Sequence, residues 1–296
     1  MHKIRIKNLL PGVKENILLK EHTTFRIGGP AKYFFVAKTK TELIKAIKVA
    51  QKLKLPFFIL GGGSNILVSD KGFNGLVIKY GQPLSSYVSQ GLEWAVGIPG
   101  TIQGAVYGNA GAFQKSMRDV VEKVEVFDTK TEKIEIFKNK DCRFSYRNSI
   151  FRKKKNLIIL SVKIKSKKSN PKKIKQYLDY KKKTQPLNLP SAGSVFKNPS
   201  PSQVLKKFGR ARGFSAGRLK ERASPSAGEL IEKCGLKGKR IGNVKISEKH
   251  ANFIINLENG KAKDVIKLIN LAKNKVKNKF GIFLEEEIQY LGEFSK

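Results

Sequence analysis

The first part of the chain alternates short apolar runs with an amphipathic segment. Tyr33–Val36 and Pro56–Leu60 are apolar runs of strand length. Between them, Thr41–Leu53 places its apolar residues at helical spacing. This strand–helix–strand order favours an α/β layer.

The middle of the chain has the period-two alternation of antiparallel sheet. Val124–Asp128 and Ile134–Phe137 alternate and are separated by a polar turn, which predicts a β-hairpin. Cys142–Tyr146 and Leu157–Lys165 are predicted as further strands. Leu84–Gln90, upstream of the hairpin, is predicted as a short helix.

The last part returns to a mixed pattern. We predict a basic helix over Ile174–Lys183, a short helix over Ala227–Cys234 and an amphipathic helix over Ala262–Val276. Phe253–Leu257 and Ile282–Leu291 are predicted strands. Helices and strands thus occur in all parts of the chain.

Charge is the strongest feature of the composition. The 296 residues include 60 Lys and Arg against 23 Asp and Glu, a formal net charge of +37. Clustered basic residues are typical of nucleic-acid-binding proteins. Here lysines are spread along the whole chain, and no helix-turn-helix, zinc-finger or RNP-like pattern occurs. Compositional drift is the simpler interpretation of this charge, and a polyanionic small substrate such as a nucleotide sugar is also compatible with it.

Several classes of protein are disfavoured by the remaining composition. No run approaches the roughly 18 apolar residues of a membrane span, and the N-terminal residues have no apolar signal-peptide core. Cys142 and Cys234 are the only cysteines, which excludes a disulfide framework and favours the cytoplasm. The isolated His2, His22 and His250 do not predict a metal site.

Two glycine-rich tracts are the first candidate binding elements. Gly61-Gly62-Gly63-Ser64-Asn65 directly follows an apolar strand, so backbone N–H groups there can approach an anion closely. It matches neither the Walker A loop nor the dinucleotide-binding Gly-x-Gly-x-x-Gly fingerprint. The second tract, Gly97–Ala112, consists largely of small residues and suits backbone lying against a flat cofactor. A plain tight turn and a ligand-free loop remain the alternatives.

Seven ordered motifs resemble those of the UDP-N-acetylenolpyruvoylglucosamine reductase family. Among them are Tyr-Arg-Asn-Ser-Ile-Phe from Tyr146 and Gly-Ser-Val-Phe-Lys-Asn-Pro from Gly193. The resemblance spans nearly the whole chain, and it is closer to the shorter subtype, which lacks a tyrosine-bearing loop. The motifs are Thr23–Ala31, Gly61–Val68, Gly97–Ala112, Tyr146–Phe151, Ala192–Pro199, Ser247–Asn256 and Leu284–Glu287.

The resemblance implies a fold and a domain order. The fold class is α+β: a two-part FAD-binding domain of the p-cresol methylhydroxylase/vanillyl-alcohol oxidase type, followed by a C-terminal α/β substrate-binding domain. The expected domains are residues 1–80 and 81–168 for the two FAD-binding parts, the second of them shortened. Residues 169–296 form the expected substrate domain, whose last strand carries Glu287.

The resemblance also implies a reaction. NADPH reduces FAD, and the flavin passes hydride to the double bond of UDP-N-acetylglucosamine enolpyruvate, giving UDP-N-acetylmuramate for peptidoglycan synthesis. Such an enzyme serves cell-wall formation, cell shape and division. We expect a cytoplasmic, monomeric enzyme with no membrane partner and no nucleic acid as its main partner.

Site residues are carried over from the matching motifs. Arg147 corresponds to the catalytic arginine, Ser194 to the proton donor and Glu287 to the catalytic carboxylate. The implied substrate-binding residues are Tyr146, Gln185, Lys197, Asn198 and His250. The implied cofactor-binding residues are Arg26, Gly61, Gly62, Gly63, Ser64, Asn65, Ile98, Gly100, Thr101, Gly104, Ala105, Asn109 and Ala110.

Three departures from the family pattern define the alternatives. Lys79–Val96 is short, so a strand is expected to be missing and to leave a sheet edge. Gln103 replaces a glycine, and its side chain is expected to intrude where backbone approaches the flavin. Ser200–Ser226 is long, with a centre at Gly209–Ser224 that reads as a flexible insertion. A degenerate homologue with weakened flavin binding, and a basic nucleic-acid-binding protein on the same scaffold, therefore stand beside the active reductase.

Overall fold

The computed structural model of the chain describes residues 2–200 and 225–294. Its α-helices are α1 His2–Leu9, α2 Lys40–Lys52, α3 Ile102–Gly108, α4 Met117–Val120, α5 Ile150–Lys153, α6 Pro171–Thr184, α7 Ala227–Lys233 and α8 Ala262–Phe280. Its strands are β1 Lys14–Leu18, β2 Pro30–Val36, β3 Phe57–Leu60, β4 Ile66–Val68, β5 Phe73–Lys79, β6 Gly111–Ala112, β7 Lys115–Ser116, β8 Val121–Asp128, β9 Lys133–Lys138, β10 Leu157–Ile164, β11 Ser191–Ser194, β12 Arg240–Ile241, β13 Val244–Ile246, β14 Phe253–Asn256 and β15 Gln289–Leu291. The predicted insertion centre at 209–224 lies outside the described residues.

The chain forms two compact units of α+β structure, and each unit is built from several stretches. Unit 1 comprises Met1–Leu18, Pro30–Gly63 and Phe73–Lys183. Unit 2 comprises Leu19–Gly29, Ser64–Gly72 and Thr184–Lys296. The finer three-part division expected from the sequence stays a prediction.

The first sheet of unit 1 confirms the predicted α/β layer. Its strand order is β1-β2-β5-β3, with β2 and β3 both parallel to β5 and β1 antiparallel to β2. Helix α2 connects β2 to β3. A capping box between Thr39 and Glu42 begins this helix, and its buried face includes Leu43, Ile47 and Ala50.

The second sheet of unit 1 contains the predicted hairpin. Strands β8 and β9 pair antiparallel from Lys123↔Lys138 to Asp128↔Lys133, and β10 lies on the other side of β8. The predicted helix at Leu84–Gln90 is present as a 3₁₀ helix. The predicted strand at Cys142–Tyr146 is wrong. A 3₁₀ helix over Asn139–Cys142 precedes Arg143, whose φ of 46° ends any extended run.

Unit 2 surrounds the long helix α8. Its four-stranded sheet has the order β11-β14-β13-β12, and β15 pairs in parallel with β4. Val265, Leu268, Ile269, Ala272 and Val276 form the buried face of α8. The predicted strand at Ile282–Leu291 is wrong over most of its length, because the ladder covers only β15 and one bridge between Phe196 and Glu286. Ile282, Leu284 and Ile288 are buried in the core without forming a continuous strand.

The described residues contain neither a membrane-spanning helix nor a cluster of metal-ligating side chains. Over residues 2–200 and 225–294, no helix combines the length and the apolar character needed to cross a membrane. Within the same ranges, no three His, Cys, Asp or Glu side chains are grouped closely enough to hold a metal ion. Both cysteines are free thiols, and burial raises the pKa of Cys142 to about 12.

Candidate functional site

In unit 1, the two glycine-rich tracts meet backbone to backbone. A Cβ atom added at Gly62 would lie 2.5 Å from the Gly100 Cα, and one added at Gly61 would lie 2.6 Å from the Thr101 Oγ1. Only glycine allows the chain to approach this closely. The spacing in sequence gave no hint of this contact, which fixes the first tract against the start of the second.

Helix α3 presents part of the second tract to open space. Thr101 caps the helix by accepting the Gly104 N–H (3.2 Å), and its side chain is otherwise buried. An added Cβ at Gly104 would meet only the Thr101 Oγ1, and one at Gly108 would meet nothing within 4 Å. The helix therefore has a side with bare backbone, against which a flat ring can lie.

The other small residues of the tract support this helix. Ala105 is buried, and Ile98 and Ala110 are partly buried against the same core. Asn109 ends α3 in the left-handed conformation (φ 45°). Its amide donates to the Ser145 carbonyl (2.8 Å), and its Oδ1 accepts the Arg118 N–H (3.0 Å). The Asn109 side chain thus joins two other loops to the tract.

The expected intrusion of Gln103 is wrong. The Gln103 side chain is directed into the protein, where it is 8% exposed. Its Oε1 accepts the Gln82 N–H (3.0 Å), and its Nε2 donates to the Leu160 carbonyl (3.4 Å). Leu160 sits at a register irregularity in β10, and its carbonyl also accepts the Tyr80 hydroxyl (2.7 Å). Gln103 and Tyr80 thereby join the shortened 79–96 stretch to β10.

Replacing Gln103 by Met should therefore destabilise the fold and should not improve flavin binding. Met keeps the approximate volume but leaves the Gln82 N–H without its acceptor. We expect the free energy of unfolding to fall by about 1–3 kcal/mol, measured by urea denaturation. Gln114→Met, on a loop with its side chain at the surface, is the control. Tighter FAD binding by Gln103→Met would contradict this assignment.

Tyr146 and Arg147 lie on a tight turn that is fixed to the second tract. The turn is closed by paired hydrogen bonds between Ser145 and Asn148. Arg147 has a left-handed φ of 52°, and its Nη1 donates to the Gly111 carbonyl (3.0 Å). Its guanidinium lies 5.4 Å from the ring centre of Tyr146, which is itself 57% exposed. A positive φ is uncommon for Arg, so the turn holds this guanidinium in a defined place.

In unit 2, Ser194 and Glu287 lie on two segments that pair with each other. Ser194 ends β11, and the Gly193 position before it faces open space. The Glu287 N–H donates to the Val195 carbonyl (2.8 Å), and the Lys197 N–H donates to the Glu285 carbonyl (2.8 Å). Two of the three proposed catalytic residues are therefore held on adjacent backbone in the same unit.

The consecutive carboxylates at Glu285, Glu286 and Glu287 differ in their surroundings. Glu285 forms an ion pair with Lys197. Glu286 accepts from Lys273 (2.9 Å) and from the Tyr290 hydroxyl. Burial, and then hydrogen bonding to Glu286, raise the pKa of Tyr290, which therefore stays a donor. Glu287 is half-buried, and its own backbone N–H donates to the Val195 carbonyl.

Asn65, also in unit 2, forms hydrogen bonds with this segment. Its Nδ2 donates to the Glu287 carbonyl (3.2 Å), and its own carbonyl accepts the Gln289 N–H (3.0 Å). Ser64, the preceding candidate, is half-buried. The Asn65 side chain thus fixes the backbone of the Glu287 segment within unit 2.

Arg26 lies on a turn of unit 2 that forms hydrogen bonds with Ser191 and with Asn256. Thr24 and Ser191 exchange hydrogen bonds (2.8 and 3.1 Å). The buried Asn256 amide donates to the carbonyls of Phe25 and Arg26 (both 3.1 Å). Arg26 is in the left-handed region (φ 54°) and exposed. The turn at the Arg26 candidate is therefore anchored beside β11, the strand of Ser194.

The remaining substrate candidates of unit 2 have different hydrogen-bond partners. His250 accepts the Asn252 N–H at its Nδ1 (3.2 Å), and burial lowers its pKa. Asn198 accepts the Ala227 N–H at the start of α7 (3.0 Å). Gln185 is half-buried at the start of the unit, and its carbonyl accepts the Leu187 N–H (2.9 Å).

One residue of this region has no assigned role from the sequence. The buried Asn252 accepts the Phe196 N–H (2.9 Å) and donates to the Phe196 carbonyl (2.8 Å). This pair of bonds fixes the backbone two residues after Ser194. The signal that could have found it is a polar residue directly before the apolar strand β14, a position where a buried amide needs partners.

The structure groups the candidates by unit. Unit 2 brings together Ser194, Glu287, Lys197 and Asn65 through backbone pairing. Unit 1 brings the Tyr146–Arg147 turn to the second glycine tract. Each group is a local arrangement of polar side chains held by hydrogen bonds to buried backbone.

Comparisons with known proteins agree on one family. A profile described as "UDP-N-acetylenolpyruvoylglucosamine reductase, C-terminal domain" matches residues 185–291. A protein named UDP-N-acetylenolpyruvoylglucosamine reductase from Caldicellulosiruptor bescii is 41% identical over 305 residues, covering 93% of this chain and 90% of the relative. A protein of the same name from Caldanaerobacter subterraneus is 39% identical over 326 residues, covering 99% and 100%.

A solved structure shows the same fold. The crystal structure titled UDP-N-acetylenolpyruvylglucosamine reductase (MurB) from Thermus caldophilus matches with a TM-score of 0.70 and 32% identity, over 94% of this chain and 98% of that one. The alignment with the Caldanaerobacter relative is 326 residues long, whereas this chain has 296. That relative therefore carries residues that this chain lacks.

Proposed function

The chain belongs to the UDP-N-acetylenolpyruvoylglucosamine reductase family, and on that premise we propose how its residues perform the reaction. It is an FAD-dependent, NADPH-consuming oxidoreductase that reduces UDP-N-acetylglucosamine enolpyruvate to UDP-N-acetylmuramate for peptidoglycan synthesis. The observation that carries the site assignment is the pairing of the Ser194–Lys197 backbone with the Glu285–Glu287 backbone. We place the reaction in the cytoplasm and assign a monomer.

Unit 1 holds residues that fit a flavin nucleotide. The Gly61–Gly63 and Gly100–Gly104 stretches offer close-packed backbone, and Gly104 and Gly108 leave one side of α3 bare. Glycine-rich turns let backbone N–H groups approach a phosphate closely, and bare backbone accepts a planar ring. The proposed contacts in unit 1 are Gly61, Gly62, Gly63, Gly100, Thr101 and Gly104, and the family motifs also assign Ser64, Asn65 and Arg26 to the cofactor. When bound, FAD supplies the hydride that NADPH has delivered.

Arg147 is assigned to the substrate carboxylate. Hydride addition to the enolpyruvyl double bond places negative charge on the carboxylate side of the substrate. A guanidinium held by the Gly111 carbonyl in a left-handed turn is a fixed cation for that charge. The exposed Tyr146 ring beside it is assigned to the same end of the substrate.

Ser194 is assigned as the proton donor. A hydroxyl is a weak acid, so it protonates a carbon only when that carbon has the basicity of an enolate. Glu287 supplies a carboxyl group that can exchange a proton, which an amide cannot do. Lys197, Asn198, Gln185 and His250 are assigned to the rest of the nucleotide sugar.

The excess positive charge of the chain suits this substrate. A nucleotide sugar with a diphosphate and a carboxylate is a polyanion, and a net charge of +37 attracts it over long range. The attraction falls with ionic strength. This accounts for the charge without requiring a nucleic acid as partner.

The cofactor assignment is tested by flavin binding and by the first half of the reaction. The purified full chain, mixed with FAD and separated from excess, should carry a flavin absorbance spectrum. NADPH added without oxygen should bleach it. A chain that stays colourless after reconstitution would instead support the degenerate homologue, and strong salt-sensitive retention of RNA would support the nucleic-acid alternative.

A further inference from the structure

Lys181 is a buried lysine for which neither the sequence motifs nor the proposed mechanism has a use. It lies on α6 and is 3% exposed, whereas its neighbours Lys182 and Lys183 are exposed. Among the buried polar residues of the described chain, it is the one lysine. A lysine this deeply buried needs partners for its ammonium group, because loss of hydration disfavours the charged form.

The ammonium group of Lys181 binds two backbone carbonyls on one loop. Its Nζ donates to the Val96 carbonyl (2.6 Å) and lies at 3.4 Å from the Trp94 carbonyl. Both belong to a short 3₁₀ helix, Glu93–Ala95, and its C-terminal cap. The next residue is Gly97, the first of the second glycine tract. Lys181 thus fixes the backbone immediately before that tract.

Helix α6 also contacts Phe113, the residue that follows the tract. The Lys181 Nζ lies 5.7 Å from the ring centre of Phe113, which directly follows Ala112. Phe113 stacks on Tyr177 with ring centres 4.0 Å apart, and it meets Tyr180 edge to face at 5.5 Å. Phe113 has a positive φ of 51°, so these ring contacts hold an uncommon backbone conformation.

A second tie joins α6 to the loop before the tract. The Glu93 carboxylate accepts the Asn170 N–H (3.0 Å) just before the helix begins. Asn170 in turn caps the helix by accepting the Lys172 N–H (3.0 Å). The 3₁₀ helix is therefore attached to α6 near both ends, through Glu93 at the start of α6 and through Lys181 near its end.

We propose that Lys181 is a positioning residue for the flavin site: from α6 it fixes the backbone on both sides of the Gly97–Ala112 tract. The assignment rests on the proposed function, since it takes that tract to bind FAD. The stem of Lys181 also lies beside the first residue of the tract, because an added Cβ at Gly97 would lie 3.8 Å from the Lys181 Cδ. Burial lowers the pKa of Lys181 to about 8, which means that burial destabilises its charged form. An apolar residue at this position would fill the same space without that loss of stability.

Replacing Lys181 by Met tests this assignment. Met keeps the apolar stem and removes the donors, so the loop before Gly97 is no longer fixed. We expect the Kd for FAD to rise by about 10- to 100-fold, the effect of losing charge-assisted hydrogen bonds. Trp94 is the only tryptophan of the chain and is buried beside this contact, so quenching of its fluorescence reports FAD binding.

Matched variants separate positioning from general destabilisation. Lys183→Met removes the same charge from an exposed position on the same helix and should bind FAD like the wild type. Lys181→Arg keeps N–H donors and should bring the Kd back to within about threefold of the wild type. The melting temperature of FAD-free Lys181→Met should stay near that of the wild type, because removal of a buried charge offsets the lost hydrogen bonds. At saturating FAD, the KM for the enolpyruvyl substrate should be unchanged.

The outcomes distinguish this assignment from the proposed function. If the wild type binds FAD and Lys181→Met binds it equally well, or if its melting temperature falls as the affinity does, the positioning role is overturned. A wild type that does not bind FAD overturns the proposed function, and this assignment with it. Should Lys181→Met not yield folded protein, Lys181→Gln, which keeps a polar head group, is titrated in its place with the same expectation.

Discussion

Replacing Ser194 by Ala should leave the reduction of FAD by NADPH intact and abolish turnover of the enolpyruvyl substrate. The hydroxyl is the assigned proton source for the enolate, and removing a positioned general acid typically lowers a rate by about 10²- to 10⁴-fold. Because Ser194 is half-buried at the end of β11 and next to an open glycine position, the truncation should not disturb the fold. Stopped-flow absorbance of the flavin measures the two halves separately.

Ser191→Ala is the matched control for this experiment. Ser191 begins the same strand, and its hydroxyl accepts only a long contact from the Gly193 N–H (3.4 Å). Both halves of the reaction should therefore proceed in this control at rates near those of the wild type. If Ser194→Ala retains the second half-reaction, the proton donor is another group. If it loses the first half as well, the substitution acts on the flavin site.

Replacing Glu287 by Gln should also block the second half-reaction, with a loss of about 10²- to 10⁴-fold. The amide keeps the shape of the side chain and its hydrogen-bonding capacity, but it cannot exchange a proton. The backbone N–H that binds Val195 is unaffected, so the pairing of the two segments should persist. Single-turnover oxidation of the reduced flavin by the substrate measures this loss.

Glu286→Gln provides a neighbouring control of the same chemistry. Both carboxylate oxygens of Glu286 already accept a hydrogen bond, one from Lys273 and the other from Tyr290. We therefore assign Glu286 no part in proton transfer. This variant should react within about threefold of the wild type, the small effect expected for surface ion pairs. Equal losses in Glu286→Gln and Glu287→Gln would show that the acidic segment acts through its charge and not through one carboxyl group.

Much of the fold was predictable because its elements have periodic apolar patterns. The helices predicted at Thr41–Leu53 and Ala262–Val276 are α2 and α8, and the predicted hairpin is β8 and β9. Amphipathic helices and hairpins are specified locally, by spacing and by the turn between strands. The observed helices begin or end one to four residues away from the predicted bounds.

Two predicted strands are wrong because the local sequence pattern did not indicate how these segments are buried or which backbone conformation they adopt. Ile282–Leu291 alternates like a strand, yet its apolar side chains enter the core from a segment with little ladder pairing. Cys142–Tyr146 reads as extended, but Arg143 and Arg147 adopt positive φ, for which an arginine gives no signal. Such conformations are selected by tertiary contacts and not by the residue itself.

The site assignment comes from motifs, and the sequence did not predict the geometry around the assigned residues. The motif match selects Arg147, Ser194 and Glu287, whereas their support comes from residues distant in sequence. Asn252 binds Phe196 and Asn256 binds Phe25, across 56 and 231 positions of the chain. Gln103, which replaces a glycine of the family motif, was expected to intrude on the flavin site. Its side chain instead forms hydrogen bonds with Gln82 in the shortened stretch and with Leu160 in β10. One sequence has no local signal for such long-range partners.

A single anaerobic experiment can follow both steps of the proposed reduction through a bound flavin. NADPH is added to the FAD-loaded full chain until the flavin absorbance is bleached, and UDP-N-acetylglucosamine enolpyruvate is then added. We predict that the flavin colour returns in proportion to the substrate added, and that mass spectrometry finds UDP-N-acetylmuramate, the substrate plus two hydrogen atoms. A reduced flavin that stays bleached in the presence of the substrate, with the enolpyruvyl group unchanged, would contradict the account.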